Sequence, residues 1–233
     1  MKKSLGSALI LLALSATTAN AAVVVLNFAG LNGLGYEGVG DYYNGGAGSL
    51  GSTGGANYGI SFGSDAIVGK PQPSGNINSA MVPGGAGAQA LFFLTGPGDL
   101  MNVASGFNTG FSFYYSAPIH PGNVTVWSGL NGTGTLLETI ALGLTTDGIN
   151  VAGCEGTNYC PYAAAGGSFT GSAESVLFSG TTNYIAFADV TFGSATPAPV
   201  PIPAAIWMFA SGLVGLGAFR KKFQVQSNMS AIA

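Results

Sequence analysis

Between Ala22 and Phe192 the chain carries almost no helical periodicity, and this constrains its fold more than any other feature. Short apolar runs recur instead, rich in β-branched and aromatic residues and bounded by Gly, Asn, Ser and Pro. In GFSFYYS, Phe111, Phe113 and Tyr115 share one face while Ser112 and Tyr114 share the other. In NVTVW, Val124 and Val126 oppose Thr125 and Trp127. A period of two places alternate side chains on opposite faces of a half-buried strand. The spacing predicts strands over Val23–Phe28, Tyr58–Phe62, Ala90–Leu94, Thr109–Tyr115, Asn123–Trp127, Leu136–Leu142, Ser175–Phe178 and Tyr184–Phe192. Such strands, separated by turn signals and without a 20–50-residue repeat, predict an all-β fold: an antiparallel, jelly-roll-like β-sandwich over residues 22–195.

Glycine opposes that expectation, at 39 of 233 residues, with only 6% charged residues, because Gly-rich chains often bury too little apolar surface to fold. The 14 Phe and 9 Tyr are spread along the chain, however, and supply material for one sizeable core. Glycine then belongs to loops. Gly38–Gly59 reads as a long flexible loop, and Gly69–Gly87, with Pro71, Pro73 and Pro83, as a second. Residues 196–203, within SATPAPVPIP, read as an extended Pro-rich spacer.

The two ends read as addresses. Lys2 and Lys3, the apolar segment Ala8–Ala16 and Ala19-Asn20-Ala21 form the pattern of a secretory signal peptide over residues 1–21, cleaved after Ala21. Near the other end an apolar run of about eighteen residues would reach roughly 27 Å as a helix, close to the hydrocarbon thickness of a bilayer. A single transmembrane helix is expected over 204–219, with Arg220, Lys221 and Lys222 as a basic stop and 220–233 on the cytoplasmic side. Between these ends Lys70 is the one cation against nine Asp and Glu, a net charge of −8. That balance argues against nucleic acid, whose phosphates need a basic surface. In an exported chain, Cys154 and Cys160 in CEGTNYC are expected to form a disulfide that pins a local turn.

Catalytic equipment is sparse. The single histidine, His120, lies between prolines in APIHPGN, and no nucleophile-elbow, zinc or P-loop motif occurs, so no catalytic residue is assigned. Glu37, Asp41, Glu138, Glu155 and Glu174 could in principle supply the carboxylate pair of a glycosidase or lyase, but they read first as solvated acids. Calcium is the one cofactor considered, with Glu37 and Asp41 after the first strand and Asp189 in the last as candidate ligands. Trp127, Tyr42, Tyr43 and Tyr114 are candidates for stacking on sugar rings, against the alternative of ordinary packing.

The tail is more specific than an ordinary anchor. VPIPAAIWMFASGLVGLGAFRKK combines Val200, Pro201, Pro203, Ala204, Trp207 and Ser211-Gly212-Leu213 with the basic stop. This resembles the PEP-CTERM sorting signal of Gram-negative bacteria, in its V-P-x-P-A…W…S-G-L variant. Met208 stands where Leu is usual, and an eleven-residue extension, Phe223–Ala233, follows the stop. The resemblance implies recognition by an exosortase, a membrane-embedded protease, after transient anchoring in the inner membrane. It further implies delivery to the cell surface or matrix and a link to exopolysaccharide or biofilm. The resulting expectation is a non-enzymatic structural or adhesive protein, with a carbohydrate-binding, calcium-dependent lectin-like module as the alternative.

Overall fold

The computed structural model of the chain describes residues 23–198. Eleven strands form there: β1 (Val24–Leu26), β2 (Ile60–Phe62), β3 (Ile67–Gly69), β4 (Ala90–Phe92), β5 (Gly98–Phe107), β6 (Gly110–Ser116), β7 (Gly122–Gly129), β8 (Thr133–Leu142), β9 (Ala163–Ser168), β10 (Ala173–Gly180) and β11 (Ala186–Phe192). They make an antiparallel two-sheet sandwich. One sheet runs β3-β4-β11-β6-β9, with β1 also paired to β11, and the other runs β2-β5-β10-β7-β8.

The alternation read in the sequence decides which residues meet between the sheets. Phe111 and Phe113 of β6 point inward, as do Val124 and Val126 of β7, and all four are fully buried. Phe178 of β10 meets Phe187 of β11 across the gap, with ring centroids 4.9 Å apart, and Phe113 packs on both at 5.9 and 5.6 Å. These edge-to-face contacts suit the ring quadrupoles, and burying each such ring is worth a few kcal/mol.

One local irregularity matters. Pairing between β11 and β6 shifts between Ala188 and Thr191, and Asp189 adopts φ 52° there. This β-bulge resets the alternation, so that Phe187 and then Val190 and Phe192 all reach the same core. Aspartate tolerates the left-handed conformation better than most residues, which suits it to the bulge.

The eight expected strands correspond to β1, β2, β4, β6, β7, β8, β10 and β11, with ends shifted by a few residues. Three strands were not expected: β3, β5 and β9. Their sequences, IVG, GDLMNVASGF and AAAGGS, are too short or too poor in β-formers to register, and their neighbours in the sheets hold them extended.

The Gly38–Gly59 segment differs from the flexible loop expected of it. Tyr42 and Tyr43 are core residues, 4% and 5% exposed. Tyr42 Oη donates to the Ala29 carbonyl at 3.0 Å, and Tyr43 Oη accepts from the Phe28 amide at 2.9 Å. Behind them the buried Glu37 carboxylate accepts from the Asn32, Leu50 and Ser52 amides and from Ser52 Oγ, at 2.6–3.0 Å. Gly48 is required by this arrangement, because a Cβ there would lie 2.5 Å from Glu37 Oε1. A buried anion and two anchored rings hold the glycine loop.

Among the described residues no helix is long and apolar enough to cross a membrane. The expected signal peptide, the sorting motif from Val200, the transmembrane helix and the basic stop lie outside those residues.

Candidate functional site

Because Leu91 of β4 pairs with Phe187 of β11 and both face the core, their neighbours Phe92 and Ala186 lie on the outer face of that sheet. Loops rise around this patch and enclose an open cleft of about 520 Å³. Phe92, Ala186 and Ile77 are in its lining, together with Tyr36, Tyr159, Tyr184, Leu94, Ile119, Asn76, Asn78 and Asn183. Tyr36, Leu94 and Ile119 are 41%, 48% and 47% exposed, so the lining offers apolar and aromatic surface to solvent.

The cleft walls are fastened to one another. Tyr36 stands edge-on to Phe92 at 5.9 Å, and its Oη donates to the Asn76 carbonyl at 3.1 Å. Asn76 Nδ2 donates to the Leu34 carbonyl at 3.0 Å. Tyr159 Oη donates to the Asn183 carbonyl at 3.0 Å, and the Asn183 amide donates to the Phe93 carbonyl at 2.8 Å. His120 packs edge-to-face on Tyr184 at 4.6 Å and so backs that ring.

The disulfide belongs to this construction. Cys154 and Cys160 are bonded, and with Ala80 and Val151 they form a small second core. That core seats the Gly148–Cys160 loop against Asn78 and Ser79. Asn78 Nδ2 donates to Asn158 Oδ1 at 2.6 Å, the Asn158 amide donates back to Asn78 Oδ1 at 3.0 Å, and Ser79 Oγ donates to the Tyr159 carbonyl at 3.0 Å. The crosslinked turn thereby presents Tyr159 to the cleft. Loops pre-set in this way lose less entropy when a ligand arrives.

The lining contains no charged side chain. Burial, then the neighbouring Tyr184, pushes the Tyr159 phenol up to about 12, so it stays a neutral hydroxyl at physiological pH. Aromatic faces, aliphatic side chains, amides and phenols can hold an uncharged polyol, but they offer no general acid or base near neutrality. A second hollow of about 590 Å³, beside Lys70 and the Gly30–Leu34 and Met81–Gln89 segments, has no aromatic lining.

The residues singled out from the sequence lie mostly elsewhere. Tyr42 and Tyr43 are corrected from exposed platforms to core residues, since their rings pack in the sandwich and their hydroxyls bond backbone. Trp127 is half-buried and donates to Thr125 Oγ1 at 2.9 Å, and Tyr114 lies half-buried on the outer face of β6; neither is in the cleft lining.

The calcium candidates do not converge. Glu37 is occupied by four protein donors, Asp41 is exposed and accepts from Asn44 Nδ2 at 3.2 Å, and Asp189 sits at the bulge. Among the described residues no three acids, histidines or cysteines are grouped to hold a metal, and Glu138, Glu155 and Glu174 join none. No motif in the sequence singles out the three cleft tyrosines. Two of them carry a shared local signal, an Asn-Tyr pair in a polar loop: Asn158-Tyr159 and Asn183-Tyr184.

No family model and no curated protein matches the chain. Among solved structures it is similar to a family 6 carbohydrate-binding module, at 14% identity and a TM-score of 0.34, over 57% of this chain and 85% of that one. A module from Clostridium stercorarium in complex with cellobiose gives 16% identity and a TM-score of 0.33, over 57% and 85%. The K3 adhesin domain of Lys-gingipain from Porphyromonas gingivalis gives 14% identity and a TM-score of 0.34, over 53% and 82%.

Proposed function

We propose that this is a non-catalytic, exported carbohydrate-binding protein with an adhesive role at the cell surface or in the extracellular matrix. Its sandwich, wound as a jelly roll, would hold an uncharged glycan segment in the cleft between Tyr36, Tyr159 and Tyr184. One observation carries the reading: the cleft combines three tyrosines and three asparagines with no charged group. The C–H faces of a pyranose pack on aromatic rings, while amides and phenols meet its hydroxyls; a polyanion would gain nothing from such a lining. Delivery follows the C-terminal signal, with exosortase processing after transient residence in the inner membrane.

A glycan array probed with the protein, with and without EDTA, tests the binding reading. Neutral glycans should be retained by the wild type and lost on Tyr184→Ala. Retention only of uronic or sulfated glycans, or binding unchanged by that substitution, would overturn it. Delivery is tested separately by deleting the exosortase from the producing strain. A full-length, membrane-retained form is expected, and unchanged mass and localisation would refute the sorting.

A further inference from the structure

At the end of the sandwich nearest the Leu94–Pro97 bend, Asp99 is completely buried and neither of its carboxylate oxygens has a hydrogen-bond partner. It is the second residue of β5, paired with Phe178, and it shares its face of the strand with the core residues Met101 and Val103. Buried carboxylates in folded proteins are normally bonded or paired, so this group calls for a partner.

A second carboxylate is carried by the turn bonded to the start of β5. The β2–β5 ladder continues as the Gly63 amide donates to the Leu100 carbonyl at 2.7 Å, and the turn that follows, Gly63–Ala66, carries Asp65 over the start of β5. Asp65 Oδ1 accepts from Thr95 Oγ1 at 2.6 Å, tying that turn to the bend.

We propose that Asp99 and Asp65 are the two carboxylate ligands of a hard-cation site, of the calcium class, that clamps the Gly63–Ala66 turn and the Leu94–Pro97 bend onto the end of the sandwich. Two carboxylates match the charge of a divalent ion and remove the cost of leaving Asp99 buried and unpaired. Calcium accepts six to eight oxygens with tolerant geometry, so carbonyls of the turns and water can complete the shell. The ordinary state without an ion is costly for Asp99: burial, then the charge of Asp65, raises its carboxyl to about 8. The site is distinct from the Glu37, Asp41 and Asp189 positions. It adjoins the cleft, because Leu94 lines that cleft and Thr95 bonds Asp65.

The test is calorimetric titration of the EDTA-stripped full chain with calcium chloride, alongside thermal unfolding with and without the ion. Wild type should show one binding event and a rise in Tm of several degrees at saturating calcium, as expected for a ligand held by the native state alone. Asp65→Asn and Asp99→Asn should each weaken binding at least tenfold and erase the Tm response. Asp65 lies at a surface turn, so its variant reports on the site even if the core change alters folding. Absence of binding heat in the wild type, or binding that survives both substitutions, would overturn the proposal.

Discussion

Replacing Asp99 with asparagine should stabilise this protein at neutral pH in metal-free buffer. Burial, then the charge of Asp65, raises the carboxyl from 3.8 to about 8, so the native state holds a proton at pH 7 that the unfolded chain gives up. The sign follows directly. Between those values the native state binds more protons, so stability falls as pH rises, and it levels off only above the folded pKa. At about 1.4 kcal/mol per unit, the penalty accumulated by pH 7 is about 4 kcal/mol. Asparagine keeps the shape and removes the ionisation, but leaves an amide with the same lack of partners, so about 2–4 kcal/mol should be recovered.

The assay is urea unfolding in EDTA at pH 5, 7 and 8.5. Wild type should lose stability across that series by about 1.4 kcal/mol per unit up to pH 8, while Asp99→Asn should be nearly flat. A wild type with no slope between pH 5 and 8, together with a destabilised variant, would show that Asp99 is ionised and satisfied in the apo protein. Adding calcium should flatten the wild-type slope, because the ion replaces the proton.

At the opposite end of the pH range, Glu37 reverses the sign. Burial opposes its charge, but bonds from Ser52, Asn32 and Leu50 prevail and hold its carboxyl below the ordinary 4.5; its contribution is present above that value and is lost as acid protonates the folded form. Glu37→Gln should cost about 2–4 kcal/mol in urea unfolding, because one of its amide donors would face backbone N–H groups. Removing the crosslink with Cys154→Ser and Cys160→Ser should cost about 2 kcal/mol, as expected for a loop this short. The same double variant should lose glycan retention disproportionately, since the crosslinked turn presents Tyr159; full retention on the array would sever the disulfide from the site. Phe178→Ala, at the meeting point of the two sheets, should cost about 3–5 kcal/mol by thermal unfolding.

How much of this could be read from the chain depends on how local each signal was. Phe111, Phe113, Val124 and Val126 announced their strands and their inward faces because a period of two is written in consecutive residues. The β9 run Ala163–Ser168 has no such signature; it is a strand because β6 pairs with it from Gly110 to Tyr115. The bulge at Asp189 was hidden for the same reason. It is a property of the β11–β6 pairing, and it converted a candidate ligand into a backbone device. Glu37 followed the same course. Its position after the first strand was legible, but the four donors that occupy it come from Asn32, Leu50 and Ser52, up to fifteen residues away and disposed only by the folded loop.

The cleft shows why fold was easier to read than site. No two of its tyrosines are close in sequence: Tyr36 follows β1, Tyr159 sits in the disulfide turn and Tyr184 precedes β11. They meet because β4 and β11 are adjacent, which puts Phe92 and Ala186 side by side on the outer face and brings three loops over them. Composition could say that the stretch between the two ends is rich in tyrosine and asparagine and nearly free of cations. It could not say that three of those tyrosines share one uncharged basin. The same logic applies to Asp65 and Asp99. The two acids are thirty-four residues apart in the sequence, and the hydrogen bond from Gly63 to Leu100 fastens the turn of one to the strand of the other. A glycine-rich, charge-poor chain can therefore carry its chemistry in loops, provided that a few groups fix those loops. Here the groups are the buried Glu37 carboxylate, the buried Cys154–Cys160 bridge and the Asp65–Thr95 bond at the surface.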